Sequence, residues 1–365
     1  MKKVSRKVIA VGVIAAIAAL AVAVTVATAG SAKKAASIDV CVLLPETKTS
    51  VRWVQFDAPG FKKAFAKAHI KASVTNALGD AQKQKAQADA CLAAGAKVVI
   101  ETAIDAGSAA AIEKSFTSKG GKAIDYDRQV AGGTGSVYVS FDNKQVGVLQ
   151  AKGVLAALKG KTKPVVAELW GGQTDANAFL FKSGNDAVLN PLFKSGKVTK
   201  GPQQFVDGWL AQNAATDFQQ FLVKTNNKID GVVAANDNIA GAVVATLKAK
   251  RLKPLALSGQ DATAAGVQNI ISGWQTMTVY KRVPLEVAAA AKAAIQLLRG
   301  NKVTGINAYC DAKKNACSTT KSGTSAPSIL SPPTVVTKSN YKILFTDGFL
   351  KRSEVCVGQY RKYCK

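Results

Sequence analysis

The sequence is poor in the groups that most enzymes use for chemistry, beginning with histidine, of which it contains one. That residue, His69, stands beside Ile70 at the end of a predicted helix, where a solvated helix terminus is its expected role. Paired Cys and His ligands for a metal and a Ser–His arrangement are both missing. A phosphate-binding glycine loop is missing too, because Gly132-Gly133-Thr134-Gly135 does not open a helix. We therefore expect no metal, no cofactor and no catalytic residue.

Acidic residues are also scarce, with 23 Asp and Glu against 49 Lys and Arg, a formal net charge of +26. Such an excess is typical of proteins that bind nucleic acid or an anionic envelope surface. The lysines, however, are scattered singly or in pairs over helical faces, with no Arg-rich arm and no basic stripe studded with aromatics. We predict no nucleic-acid partner and prefer adhesion to an acidic cell wall.

The N-terminus has the pattern of an export signal. Four cations within residues 1–7 precede Val8–Ala29, a stretch of 22 residues without charge. Ala27-Thr28-Ala29 offers a small-x-small cleavage site, which predicts a signal peptide over residues 1–29. The apolar stretch is also long enough to span a bilayer, so an N-terminal anchor is the alternative. Either way the protein is expected to be exported, to the periplasm or the outer face of the cytoplasmic membrane.

Six cysteines in an exported chain favour disulfides. Cys310 with Cys317 closes a short polar loop, and Cys356 with Cys364 closes the C-terminal tail. That leaves Cys41 with Cys91, in a predicted strand and helix. Local pairs are the most economical of the fifteen possible pairings, although sequence alone does not prove them.

Apolar runs of strand type alternate with helical spacing from Ile38 to Phe141, after a short leader (30–37), and the rhythm restarts after Asn143. This pattern predicts an α/β protein with two doubly wound, parallel-sheet lobes and a cleft between them. Pro332-Pro333 predicts a stiff hinge crossing. The expected lobes are 38–142 plus 282–329, and 143–281 plus 330–365 with the Cys-bracketed tail.

The stretch Ala234–Asn238 shows how such a sheet would build a site. An apolar run ends on Asn236 and Asp237, and a small-residue helical pattern follows at once. Parallel strands deliver side chains to the carboxyl edge of the sheet in this way. Asp237 or Asn238 is the predicted N-cap of the following helix. The alternative is that these polar residues only cap and turn.

Other predicted strand ends deliver Asp, Asn, Arg and Lys side chains together with two Trp. Carboxylates and amides exchange hydrogen bonds with hydroxyls, cations strengthen such bonds, and an indole covers the apolar face of a sugar ring. The inventory therefore suits a neutral polyol. Paired Asp residues could instead serve a glycosidase, but each carboxylate here adjoins a cation or an amide rather than an apolar pocket.

Several ordered motifs resemble the periplasmic D-xylose-binding proteins, the solute receptors of ABC sugar importers. They span roughly Ile38–Arg299 and include Tyr126-Asp127-Arg128, Tyr138–Asn143, Val206–Leu210, Ser258–Ala262 and Gln275–Lys281. The resemblance implies a type I periplasmic-binding-protein fold, with two lobes joined by a three-crossing hinge that close on one monosaccharide, D-xylose. It also implies an ABC permease as partner, and a closing clamp favours a monomer.

The resemblance further implies a ligand site. Residues expected to hydrogen-bond the pentose are Arg52, Arg128, Asn177, Asn236, Asp261 and Lys281. Trp53 and Trp209 match the expected stacking pair, and Asp127 and Asp142 are further candidates for the same network. The loop Ala308–Pro327 and the tail Val355–Lys365 depart from the pattern, and Trp170 is either core or a third aromatic near the cleft. A broader aldose receptor for glucose, galactose or arabinose, and a sensor that signals to a membrane kinase, are the alternatives.

Overall fold

The computed structural model describes residues 37–364. The predicted signal peptide and nearly all of the leader lie outside this range. Nine longer helices are α1 (Ala58–Lys67), α2 (Ala81–Ala93), α3 (Ala106–Thr117), α4 (Asn143–Ala157), α5 (Ala176–Lys194), α6 (Ala211–Lys224), α7 (Asp237–Ala249), α8 (Ala264–Ile271) and α9 (Val283–Leu298). Two single-turn helices, α10 (Ile343–Thr346) and α11 (Arg352–Val355), lie in the C-terminal tail. Within residues 37–364, no helix combines the length and apolarity needed to cross a bilayer.

The strands form three sheets. They are β1 (Val40–Leu44), β2 (Ala72–Asn76), β3 (Val98–Glu101), β4 (Lys122–Tyr126), β5 (Val137–Phe141), β6 (Val165–Trp170), β7 (Thr199–Phe205), β8 (Gly231–Ala234), β9 (Ala256–Leu257), β10 (Met277–Tyr280), β11 (Ala308–Asp311), β12 (Ala316–Ser318), β13 (Ala326–Ser331) and β14 (Thr334–Thr337). The largest sheet has the order β12-β11-β13-β5-β4-β3-β1-β2, the second β7-β6-β8-β9, and β10 pairs with β14.

Both larger sheets are mainly parallel, which confirms the α/β fold expected from the sequence. In the eight-stranded sheet only the pairings made by β11 are antiparallel, and every pairing in the four-stranded sheet is parallel. All residues of β1 and β8 are buried. Helices cover both faces of such a sheet, so its strands read in sequence as continuous apolar runs.

An isolated bridge between Gln260 and Val279 joins the β10–β14 pair to the four-stranded side of the molecule. With that pair counted there, the chain passes between the two sides at three places: after β5, after β10 and after β13. The last passage is Pro332-Pro333, where the sequence predicted a crossing. We call the eight-stranded sheet with its helices the N-terminal lobe, and the four-stranded sheet with its helices the C-terminal lobe.

The C-terminal tail contacts both lobes rather than the C-terminal one alone. Phe349 stacks on Phe56, which precedes α1, with ring centroids 4.2 Å apart. On the other side, Gln268 of α8 donates hydrogen bonds to the carbonyls of Glu354 and Val355, at 3.2 and 3.1 Å. Tail and lobes thus share one apolar cluster.

All three predicted disulfides are confirmed: Cys41–Cys91, Cys310–Cys317 and Cys356–Cys364. The first ties β1 to α2, and the second closes the hairpin of β11 and β12. The hairpin pairs with β13, so the loop that departs from the family pattern extends the large sheet at its edge.

Three carboxyl groups are buried together in the N-terminal lobe, on Glu101, Glu113 and Asp125. Glycines at 133 and 135 let the chain pass so close to Glu113 and Asp125 that an added Cβ atom would collide with their oxygens. Burial, with repulsion from Asp125, raises the pKa of Glu113 to about 10. In residues 37–364 no group of three or more His, Cys, Asp or Glu is arranged to hold a metal ion. A proton on Glu113, favoured by its raised pKa, relieves the repulsion within this cluster.

We predict that Glu113→Gln flattens the pH dependence of stability. The folded-state pKa exceeds the unfolded value of 4.5. The protonated acid therefore stabilises the fold fully below that value. The stabilisation is lost as pH rises, by up to about 1.4 kcal/mol per pH unit. Gln can still accept the backbone N–H of Thr134, as Glu113 does.

Urea unfolding at about pH 5.5, 7 and 8.5 measures this effect, and the variant should be the more stable protein at the highest pH. Asp89→Asn, at an exposed carboxylate paired with Lys85, is the matched control and should keep the wild-type profile. An unchanged slope in Glu113→Gln would show that the acid is ionised in the folded state.

Candidate functional site

A cleft at the carboxyl ends of strands from both lobes holds about 360 Å³ of space between protein atoms. Its lining is Thr49, Ser50, Arg52, Trp53, Asp127, Arg128, Asp175, Asn177, Phe181, Trp209, Asn236, Gln260, Asp261 and Lys281. Eleven of these residues are polar or charged, and three are aromatic.

The structure brings nine of the ten predicted ligand-binding residues together in this cleft. The exception is Asp142, which follows β5 but is exposed. It is the N-cap of α4 and accepts the backbone N–H of Gln145 at 2.9 Å. Trp170 does not line the cleft either. It is 7% exposed, packs against Phe205 and donates to Glu168, so it is a core residue.

Five lining residues were not among the predicted site residues: Thr49, Ser50, Asp175, Phe181 and Gln260. Phe181 lies one helical turn after Asn177 in α5, and this spacing could have identified it. Thr49 and Ser50 belong to an irregular loop in which Glu46 accepts the backbone N–H of Thr49 at 2.7 Å. No periodic pattern marks such a loop in sequence.

Asp127 is the centre of a buried charge network. Its Oδ2 atom accepts from Arg52 Nη1 at 2.6 Å and from Lys281 Nζ at 3.1 Å. Arg52 also donates to Asp57 at 2.9 Å and to Glu286 of α9 at 2.6 Å. The guanidinium is therefore almost fully occupied by protein carboxylates, which fixes its position in the cleft wall.

The network separates the pKa values of its carboxyl groups. Burial alone would raise the pKa of Asp127, but Lys281, Arg52 and Arg128 hold it well below its usual range. For Glu286, burial outweighs the attraction of Arg52 and raises the pKa to about 8. Near pH 7 Glu286 is therefore mainly protonated, which leaves Asp57 and Asp127 as the two acidic partners of Arg52 and Lys281 in this network.

Two indoles line opposite lobes of the cleft. The Arg52 guanidinium lies 4.4 Å from the ring centroid of Trp53, a cation–π distance. Trp209 is held in a left-handed conformation with φ of 61°. That conformation is uncommon for a bulky residue and is characteristic of functional positions. Its ring lies directly over Gly171, where a Cβ atom would overlap it.

Direct contacts join the lobes across the cleft. Arg128 Nε lies 2.9 Å from Asp175 Oδ2, and Asn177 Nδ2 donates to the backbone carbonyl of Asp127 at 2.8 Å. The Ser50 hydroxyl donates to Asp261 at 3.4 Å. These contacts depend on the two lobes standing close together, so the structure shows a closed arrangement.

The stretch Ala234–Asn238 is placed differently from the prediction in one respect. Asn236, rather than Asp237 or Asn238, is the N-cap of α7 and accepts the N–H of Ile239 at 2.9 Å. Asp237 is instead buried behind the cleft, accepting from Gln275 at 2.9 Å, and burial raises its pKa to about 7. Asn238 donates across the cleft to the carbonyl of Thr49.

A family model described as a periplasmic binding protein domain matches residues 40–302. The D-xylose-binding periplasmic protein of Escherichia coli is 35% identical over 306 residues, covering 83% of this chain and 88% of that one. The multiple sugar-binding periplasmic protein of Azospirillum brasilense is 30% identical, covering 83% of this chain and 87% of that one.

A solved structure is also similar. The carbohydrate transporter solute-binding protein of Chloroflexus aurantiacus, in complex with D-glucose, superposes with a TM-score of 0.78 at 28% identity. The match covers 87% of this chain and 98% of that chain.

We expect the charge network around Asp127 to stabilise the fold. Asp127→Asn should lower the free energy of unfolding by roughly 3–5 kcal/mol, because it leaves Arg52 and Lys281 buried beside a neutral amide. Asp261→Asn is the control, since Asp261 lies in the same cleft and forms no ion pair with any of residues 37–364, and its cost should stay below about 1 kcal/mol. Both positions have positive φ, 62° and 93°, which Asn tolerates. Urea unfolding measures the free energy of unfolding of both variants. Equal losses in the two would show that the network does not stabilise the fold.

Proposed function

The chain belongs to the periplasmic binding protein family, as an extracytoplasmic, non-enzymatic sugar receptor of ABC transporters, and on that premise we propose that its sugar is D-xylose. The observation that carries the proposal is the composition of the cleft. It unites two indoles with cations, amides and carboxylates at nine positions that the resemblance to xylose receptors implies. The similarity to the E. coli D-xylose-binding protein supports the same ligand.

The proposed site has two kinds of residue, those that contact the sugar and those that position them. Arg52 and Asn177 are largely engaged with protein partners: Asn177 donates to Asp127 and accepts from Tyr138. They therefore hold Asp127 in place. Four residues can still form hydrogen bonds to the hydroxyls of the sugar: Asn236, Arg128, Asp261 and Lys281. The Nδ2 atom of Asn236, for example, makes no hydrogen bond to residues 37–364.

The indoles of Trp53 and Trp209 are proposed to stack on the two faces of the pyranose ring. Both are nearly buried, and neither indole N–H has a hydrogen-bond partner within the described part of the chain. The Oε1 atom of Gln260 likewise has no hydrogen-bond partner in that part of the chain. Buried polar groups are rarely left without partners, and sugar hydroxyls can both donate and accept.

Binding is proposed to be coupled to closure. A sugar seated on one lobe would add its contacts to those that join Arg128 with Asp175 and Asn177 with Asp127. A ligand that interacts more favourably with the closed state shifts the population towards it. The three connections between the sheets would be the hinge, and the closed shape would be presented to the permease.

A broader aldose receptor is the competing proposal. It is supported by the multiple sugar-binding relative from A. brasilense and by the glucose-bound structure from C. aurantiacus. The two proposals differ in the space available beyond C5 of the bound ring, where a hexose carries a further carbon.

Calorimetric titration of residues 30–365 with xylose, arabinose, ribose, glucose and galactose tests the proposal. One-to-one binding of xylose, at least about a hundredfold tighter than glucose (roughly 2.7 kcal/mol), supports a xylose receptor. Comparable binding of the hexoses supports the broader receptor. No heat with any of the five sugars would overturn both.

Truncating one stacking residue should weaken binding. Trp209→Ala is expected to reduce xylose affinity by about thirtyfold, or roughly 2 kcal/mol, because it removes the apolar face that covers the ring. Trp274→Ala is the matched control, at a half-buried indole outside the cleft. Similar losses in both variants would argue against a direct contact by Trp209.

The indole ring of Trp209 can also be displaced without being removed. Gly171→Ala places a Cβ atom where the Trp209 ring lies, and we expect at least about a tenfold loss of xylose affinity with the indole still present. Gly241→Ala, in α7, meets nothing within 4 Å and should bind as wild type. Unchanged affinity in Gly171→Ala would show that the orientation of Trp209 is not needed for binding.

A further inference from the structure

The edge of the C-terminal sheet opposite the cleft carries a concentrated positive charge. Four segments that lead from a helix into a strand lie on this amino edge: 158–164, 194–200, 224–230 and 248–255. Together they contain twelve Lys and Arg and a single acidic residue, Asp230. All twelve cations are exposed. We call these four segments the basic edge.

The segments are in contact with one another, so the basic edge is one surface. Lys161 forms an ion pair with Asp230 at 2.6 Å, and the carbonyl of Lys163 accepts from the Thr199 hydroxyl at 3.1 Å. The Asp230 carbonyl accepts from the backbone of Ala256 at 3.1 Å. The strand order β7-β6-β8-β9 sets the segments side by side, in a row about 14 Å long at roughly 4.8 Å per strand.

The charge is not simply that of the whole chain. The corresponding segments of the N-terminal sheet, 67–71, 94–97 and 117–122, contain five lysines in total. Cations are denser on the basic edge, 12 in 29 residues, than in the whole chain, 49 in 365. The N-terminal segments have a similar density, 5 in 15, but they are shorter and gather fewer than half as many cations. The basic edge also lies the full length of β6 from the cleft, six residues or about 20 Å.

We propose that the basic edge is a docking surface for a polyanionic, phosphate-bearing polymer of the cell envelope. A row of cations on successive loops matches a chain with a charge on every repeat, and each neutralised phosphate releases a counterion. Eleven of the twelve cations are Lys. Lysine acts as a point charge rather than a bidentate fork, which suits a phosphodiester chain held without a fixed geometry.

The basic edge fits a bilayer surface less well. Surfaces that lie on membranes combine cations with exposed Trp, Phe or Leu that enter the interface. Among residues 37–364 the exposed large apolar side chains all lie outside the four segments, although Val223 directly precedes one of them. Because the cleft is at the other edge of the sheet, a docked polymer would leave it open to sugar.

The test uses a charge-reversed variant and a matched control. The edge variant combines Lys159→Glu, Lys197→Glu and Lys253→Glu, from three of the four segments. The control combines Lys62→Glu, Lys83→Glu and Lys114→Glu, at exposed positions on α1, α2 and α3. Both change the net charge equally, and neither touches the cleft, so sugar binding reports on folding. A neutral version with Gln at the three edge positions separates lost attraction from added repulsion.

Binding to immobilised poly(glycerol phosphate) is measured over a range of salt concentrations, with phosphatidylglycerol vesicles as a second probe. The edge variant should bind the polymer at least about tenfold more weakly, with a shallower dependence on salt, and the Gln version should lose part of the affinity. The control should bind as wild type. Equal losses in edge and control variants, binding to vesicles without binding to the polymer, or no polymer binding by wild type would each overturn the proposal.

Discussion

The carboxylate of Asp127 is the interaction on which the rest of the cleft depends. It is 4% exposed, and a buried charge of this kind is tolerated only when cations and donors surround it. Arg52 and Lys281 supply the cations, and Asn177 reaches it from the other lobe. One carboxylate thus ties the segment before α1, the connection after β10 and helix α5 to a single point. The contact with Arg52 lies within one lobe and does not depend on closure, whereas the contact with Asn177 requires the closed arrangement.

Sequence alone predicts most of the fold because buried parallel strands have no polar face. Their apolar runs and the helical spacing between them identify both sheets. Polar residues directly after a strand, such as Asp127 and Asn236, lie at the carboxyl edge of the sheet because of its topology. The ordered motifs then indicated which of these residues line the same cleft. The direction of each side chain depends instead on which nearby hydrogen-bond partner it takes. Asp142 follows a strand as Asp127 does, but its carboxylate is used by the helix that begins next to it.

The same competition for hydrogen-bond partners explains the cap of α7. Three consecutive polar residues were available, and Asn236 takes the capping role because Asp237 is drawn into bonds with Gln275 and Thr263 from the neighbouring segment. Those partners are distant in sequence, so no local pattern reveals them. Thr49 and Ser50 escaped prediction for a related reason: their loop is shaped by Glu46 rather than by a periodic element. Sites built at strand ends are predictable, whereas those completed by irregular loops are not.

The disulfides join each cysteine to the next one along the chain: Cys41 to Cys91, Cys310 to Cys317 and Cys356 to Cys364. No bridge encloses or interlaces with another. A chain that emerges from a translocation pore amino end first therefore presents each thiol with its correct partner before the following pair appears. Oxidation in order of emergence yields the native set directly. Such a protein can mature outside the cytoplasm with an oxidant alone, without a catalyst that reshuffles wrong pairs.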